Sequence, residues 1–314
     1  MKNSKEQSGY EAVPRAHHFV PQCWLAGFTE TGQKDGRLWV TDLRRRKQWL
    51  SSPTNAGHRR DFYRVSDESA DPTAAEKLFS KIEDAAAPIL RRIDEELRTP
   101  TRDELETLLF FMAVQWVRVP AFRPTMLAIA DKYHRSEISK ALKTRESWIR
   151  MLVNAGISSD DPAADYERMC EFERSGQYSL SAETEWFLMR GLQGVETIFS
   201  RLKERHWGAC ISQKGSFIGN DNPVAMDGPK NCEIGFKNAE IVIHPASKHI
   251  LLFGTAVRVR PPFVNQMFIS RNNTFAMLAA EAQIYSAASD FCWLDANRAY
   301  QTDWKNFSKE TYQL

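Results

Sequence analysis

No cysteine pattern organises this chain. Cys23, Cys170, Cys210, Cys232 and Cys292 are odd in number, far apart, and form no C-x-x-C. That argues against a disulfide framework or a thiolate zinc knuckle and fits a reducing compartment. An excess of charge of one sign is also missing. The 42 Lys and Arg stand against 40 Asp and Glu, a net charge of +2. No overall field therefore drives the chain toward nucleic acid or a membrane surface. No apolar run approaches the ~18 residues that span a bilayer. The polar start, residues 1–15, has no apolar segment of the signal-peptide kind. A cytoplasmic protein with no membrane partner is expected. There is no Walker loop, G-x-G-x-x-G, H-E-x-x-H or G-x-S-x-G, so kinase, dehydrogenase, zincin and serine-hydrolase readings have no motif support.

What is present is an ordinary globular composition, 42% hydrophobic and 26% charged over 314 residues, enough for a sizeable core. Residues 1–16 read as a disordered leader. Pro21 suits a first helical turn, and Trp24, Leu25 and Phe28 then fall at helical spacing. Residues 37–42 and 48–50 alternate as a hairpin around the basic tip 43–47, and residues 61–65 read as a short strand. Thr73–Glu76 and Thr101–Glu104 have the form of capping boxes. They open two helices with apolar stripes from Leu78 to Leu97 and from Leu105 to Val117. Helical patterns continue over 124–154, 167–172 and 181–205. After residue 206 the pattern becomes strand-like. Residues 207–211 and 216–218 read as a hairpin, with strands at 240–244, 249–253 and 283–286 and a helix over 264–282. The basic tip, Arg44 to Lys47, is read as a solvated turn or a phosphate contact.

The stretch His17-His18-Phe19-Val20-Pro21-Gln22-Cys23-Trp24-Leu25-Ala26-Gly27-Phe28 resembles the opening H-H-x-V-P-Q-x-x-L-x-x-F of the bacterial domain-of-unknown-function family 4238. The likeness continues through residues 36–40, 53–56 and 61–63, the helix from Glu76 to Arg91, and Gln115-Trp116-Val117-Arg118-Val119-Pro120. It resumes at Asn220-Asp221-Asn222-Pro223-Val224, His244-Pro245-Ala246-Ser247 and Asn272-Asn273. Asn220 stands where the family usually has Ser, and His244 where it tends to have Pro. The resemblance covers about residues 17–290 and implies no activity.

The His pair also resembles the opening of nucleases of the His-Asn-His type. There one imidazole holds a divalent ion at the scissile phosphate and its neighbour acts as general base. On that reading His17 is the metal ligand and His18 the base, with Asn55 and His58 the nearest candidates for the supporting residues. The spacing from His18 to Asn55 is long for that motif and from Asn55 to His58 short. Asp221 and Asn222, ahead of Pro223, would orient the base or donate to an oxyanion. Arg118, with Arg123 nearby, would grip a phosphate bidentately. Each has a structural alternative. The histidines can satisfy backbone groups, Asp-Asn-Pro is a natural turn, and an Arg at a helix end suits the macrodipole. Glu76 and Glu83, seven apart on one helical face, are not paired as a dyad because Glu76 is assigned to its capping box. His244 and His249 flank a strand connection that a metal could bridge.

The expectation is an α+β protein: an N-terminal His motif and hairpin, a helical middle, and a mainly antiparallel C-terminal sheet with a packed helix. It is read as one integrated domain over 17–314, divisible near residue 206 into 17–206 and 207–290. The functional expectation is a metal-dependent phosphodiesterase or nuclease in a defence or mobile-element setting. Its catalytic residues would be His18, Asp221, Asn222 and Arg118, its metal ligand His17, and its substrate a nucleic acid or phosphorylated small molecule. The alternative is a non-catalytic binding or regulatory module in which these residues hold the fold.

Overall fold

The computed structural model describes residues 16–64, 74–158, 160–214, 216–229 and 233–312. Residues 1–15 of the expected leader, Val65 and the capping residue Thr73 lie outside them, while Ala16, the last residue of that leader, is in a strand. In chain order the elements begin with β1 (Ala16–His18), α1 (Gln22–Ala26), β2 (Leu38–Asp42), β3 (Lys47–Ser51) and β4 (His58–Arg60). The helices α2 (Ala74–Glu95), α3 (Arg102–Arg118), α4 (Phe122–Ala141), α5 (Arg145–Asn154), α6 (Tyr166–Ser175) and α7 (Thr184–Lys203) follow. The remainder is β5 (His206–Ile211), β6 (Gly219–Asn220), β7 (Ala225–Asp227), β8 (Ile241–Pro245), β9 (Ile250–Thr255), α8 (Gln266–Ala279), β10 (Gln283–Ser286), β11 (Trp293–Leu294) and β12 (Tyr300–Gln301). The fold class is α+β. Among the described residues no single helix is long and apolar enough to cross a membrane.

The chain divides into two compact units, Met1–Pro120 with Thr184–Leu314, and Ala121–Glu183. Residue 206 lies inside the first unit, where α7 runs almost directly into β5. The second unit is helical. The pattern over 124–154 resolves into α4 and α5, because Thr144 starts a new helix with a capping box completed by Ser147. Arg135 bonds Asp131 at 2.7 Å and lies 4.2 Å from the Tyr178 ring centroid, holding the tail of this unit to α4.

In the first unit the two ends of the sequence share one sheet, ordered β3-β2-β10-β6, all antiparallel. A second sheet runs β5-β9-β8-β7. The hairpin expected between 207–211 and 216–218 does not form: β5 pairs with β9, from His206↔Thr255 to Ile211↔Ile250. The longer strand wins because it offers six residues of ladder against a two- or three-residue partner. Residues 61–63 form a turn and not a strand, the short strand lying just before them at β4. Residues 256–259 leave the sheet as an exposed connection to α8.

Caps, helix-on-helix packing and the buried α1 fix the helices in place. The capping box at Thr101 fixes the start of α3, with Glu104 also gripped by Arg98 at 2.7 and 2.8 Å. α3 then packs along α7 and against α2. α1 is the hub: Leu25 and the following Phe28 are fully buried, each contributing about 1.5–3 kcal/mol. Trp24 donates its indole N–H to the Pro245 carbonyl at 2.8 Å. The basic tip is mostly engaged internally. Arg44 pairs with Glu281 at 2.6 Å, and Arg46 donates to the carbonyls of Lys305 and Phe307. It is therefore a structural clasp on the C-terminal segment more than a ready phosphate contact.

Candidate functional site

The two histidines lie on a two-stranded ribbon. β1 pairs antiparallel with β4, with His17 opposite Arg59 and His18 opposite His58. Side chains alternate along a strand, so the adjacent histidines face opposite sides. The ribbon closes through Gly57, whose carbonyl accepts from Phe19 N at 2.9 Å and Val20 N at 3.0 Å. Gly57 has φ +62, and a Cβ there would meet the Val20 Cβ at 2.9 Å. Only glycine fits that corner.

His17 turns inward and is 3% exposed. Its Nδ1 accepts the Tyr63 backbone N–H at 2.8 Å, and its ring stacks on Tyr63 with centroids 5.8 Å apart. A neutral imidazole accepting at Nδ1 carries its proton on Nε2 and has no lone pair left for a metal. The expected role of His17 as metal ligand does not fit this geometry. Among the described residues no group of three or more His, Cys, Asp or Glu is arranged to hold an ion.

His18 turns toward His58, with ring centroids 5.2 Å apart. Its Nε2 lies 3.1 Å from the Thr54 carbonyl oxygen. A carbonyl can only accept, so Nε2 carries the proton and Nδ1 keeps its lone pair. Nδ1 has only a long contact, 3.5 Å from Gln22 Nε2. Burial lowers the His18 pKa, and His58 and Arg118 push the same way, while the Thr54 bond opposes them. His18 is thus neutral at neutral pH, as a general base must be. Asn55, the expected orienting residue, bonds Ser52 at 3.2 Å. The orienting group is the carbonyl of its neighbour Thr54.

Arg118, at the end of α3, comes to the same corner from behind. It is 3% exposed, donates to Glu83 Oε1 at 2.6 Å and to the His18 carbonyl, and lies 4.4 Å from the Phe79 ring centroid. Tyr63 O–H donates to the Arg118 carbonyl at 2.5 Å. Arg118 therefore clamps the backbone of the His pair and does not reach toward a solvent phosphate. Glu76 and Glu83, not assigned to the site from sequence, both face it. The Glu76 pKa is raised by burial, against the pull of Arg118 and His17 and with Glu83 adding to the rise. Glu76 Oε1 is buried and takes no hydrogen bond among the described residues. The seven-residue spacing on α2 was the available signal.

Asp221 and Asn222 are placed differently. Asp221, 1% exposed, accepts the backbone N–H groups of Glu281, Ala282 and Gln283 at 2.6, 2.8 and 2.9 Å. Burial pushes its pKa up to about 6, against those three donors. Asn220 and Asn222 donate to the carbonyls of Ala276 and Ala279 at 2.7 and 3.1 Å. The motif thus caps the C-terminal end of α8 and fixes its turn into β10, satisfying groups a helix end leaves bare. The expected assembly of His18, Arg118, Asp221 and Asn222 forms only in its His18–Arg118 half.

The remaining family-like segments lock onto α1 and its neighbours. His244, fully buried, bonds Gln115 Oε1 at 2.7 Å, and burial lowers its pKa to about 3. Ser247 donates to Asp94 Oδ1, which His249 Nδ1 also meets at 2.9 Å. His244 and His249 thus serve separate partners and do not form the metal bridge considered from sequence. The acid stands between serine and imidazole, so this trio is not a nucleophile relay. Burial pushes the Cys23 thiol up to about 12, which removes it as a thiolate nucleophile.

No curated protein and no solved structure matches the chain. A family model described as a protein of unknown function, DUF4238, matches residues 16–290. The segments that interlock around α1 all lie within that span, and the chain belongs to this family.

Proposed function

We propose that the protein acts on phosphodiesters through His18 and His58 as an acid–base pair. The observation that carries this is the facing imidazoles 5.2 Å apart, with the His18 proton held on the Thr54 carbonyl and its other nitrogen left to accept. His18 Nδ1 takes a proton from the attacking water as its oxygen bonds to phosphorus, and His58 gives one to the leaving oxygen as that P–O bond breaks. Arg60, exposed two residues along β4 from His58 and so on its face, supplies positive charge for a nucleic acid or a phosphorylated small molecule, with Asp61 3.5 Å away. A divalent ion, the other chemistry for this substrate class, would have to draw on Glu76, whose Oε1 takes no hydrogen bond among the described residues.

The test is hydrolysis of bis(p-nitrophenyl) phosphate, single-stranded DNA and RNA, each with EDTA and with added manganese. Turnover that survives EDTA and falls ~10²–10⁴-fold in His18→Gln and in His58→Gln supports the pair. Turnover only with manganese, lost in Glu76→Gln, transfers the chemistry to a metal. No turnover under any condition leaves the second reading, a non-catalytic module. That reading is favoured by one specific observation: His17 Nδ1, both terminal nitrogens of Arg118 and both carboxylate oxygens of Asp221 are engaged by the protein's own groups.

A further inference from the structure

On the other flank of α1 lies a cavity of about 340 Å³, lined by Cys23, Gly27, Lys34, Arg91, Asp94 and Ala246 among others. Its charges are of both signs. Asp94 is 8% exposed, and both of its hydrogen bonds, from Ser247 and His249, fall on Oδ1. Oδ2 takes none among the described residues. It lies beside Gly32, where a Cβ would stand 3.5 Å from it, an ordinary van der Waals contact. Ser247 and His249 fix the carboxylate plane by holding Oδ1, which aims Oδ2 at a fixed point. Arg91, one turn before Asp94 on α2, and Lys34 form the cationic part of the lining, and Asp35 stands beside Lys34. Arg91 and Lys34 have no ion-pair partner among the described residues.

A carboxylate oxygen that opens on a cavity and meets no protein donor can accept from a cation or N–H of a ligand. A primary ammonium is the compact donor for one such oxygen, and a guanidinium is the natural fork for a carboxylate. We infer that this cavity is a binding site for a small zwitterion of the size and charge pattern of a free α-amino acid. The ammonium sits on Asp94 Oδ2 and the carboxylate on Arg91 and Lys34. The cavity volume lies at the small end of ligand sites. This assignment is independent of the chemistry at His18.

The test is isothermal titration calorimetry of the full chain with the twenty standard L-amino acids. Any binder is then compared with its decarboxylated amine and its deaminated acid. The expected result is one or a few binders, with both truncated analogues at least about tenfold weaker. Asp94→Asn and Arg91→Met should each weaken the intact ligand by a similar factor. Arg91 is exposed, so its variant keeps the test decisive if Asp94→Asn does not fold. Absence of binding by every amino acid overturns the inference. So does an amine that binds as tightly as its parent, or an Arg91→Met protein with unchanged affinity.

Discussion

The His corner and the Asp-Asn-Pro turn carry the same kind of residue at the ends of strands, yet they are built for different ends. In the turn every strong acceptor meets a donor of the protein itself: Asp221 receives three backbone N–H groups and the flanking asparagines cap α8. In the corner one imidazole, His17, is closed in the same way, while its neighbour His18 keeps a lone pair and a facing imidazole. Residue type does not separate a functional polar group from a structural one. What separates them is hydrogen-bonding capacity left over after the backbone has been served.

The comparison can be broken most forcefully at Arg118. Arg118→Met leaves Glu83 and the His18 carbonyl without their donor, and a loss of about 3–5 kcal/mol is expected in urea denaturation. A loss below about 1 kcal/mol would mean that the clamp does not hold the corner. Asp221→Asn comes next. An amide offers one acceptor oxygen to three donors, and about 2–3 kcal/mol is expected to go. Wild-type stability would instead mark that turn as a site free for function.

The acid limb of stability sharpens the contrast. His244 has its folded pKa lowered to about 3 by burial, against ~6.5 in an unfolded chain. Its contribution is complete above about pH 6.5 and is lost as pH falls toward 3, with about 2 kcal/mol gone by pH 5. Asp221 works in the other direction. Its folded pKa of about 6 lies above the unfolded value, so its contribution is present at low pH and is lost as pH rises through about 6. Denaturation of Asp221→Asn between pH 4 and 7 should therefore show a steeper acid loss than wild type. An identical slope would remove Asp221 as a titrating group in that range. The smallest effect is expected at His18. His18→Gln should cost under ~1 kcal/mol, because its ring has a single carbonyl bond and stands partly in solvent. A loss of several kcal/mol would make it a second His17.

Much of the fold was readable locally. The helix at Pro21, the β2–β3 hairpin, the capping box at Thr101 and the β8–β9 pair follow from short-range signals: turn residues, caps and alternation. The β5 partner is not legible locally because strand pairing is chosen among distant competitors, and β9 offers β5 a full-length ladder. The site was half readable. Histidine, arginine and Asp-Asn near proline announced polar business. A local capping argument assigns Glu76 to its helix end, whereas both Glu76 and Glu83 face Arg118.

The sequence by itself determined the class of the protein, the family-like opening at His17–Phe28, most element boundaries, and which residues are chemically able to act. Tertiary structure decided which of them remain able to. It placed both chain ends in one sheet, set Arg118 against the His18 backbone, turned Asp221 onto the α8–β10 turn, and left His18 and Asp94 Oδ2 with capacity to spare. The reason is that a hydrogen-bonding group is defined by its partners, and here those partners are separated by 36 to 155 residues of chain.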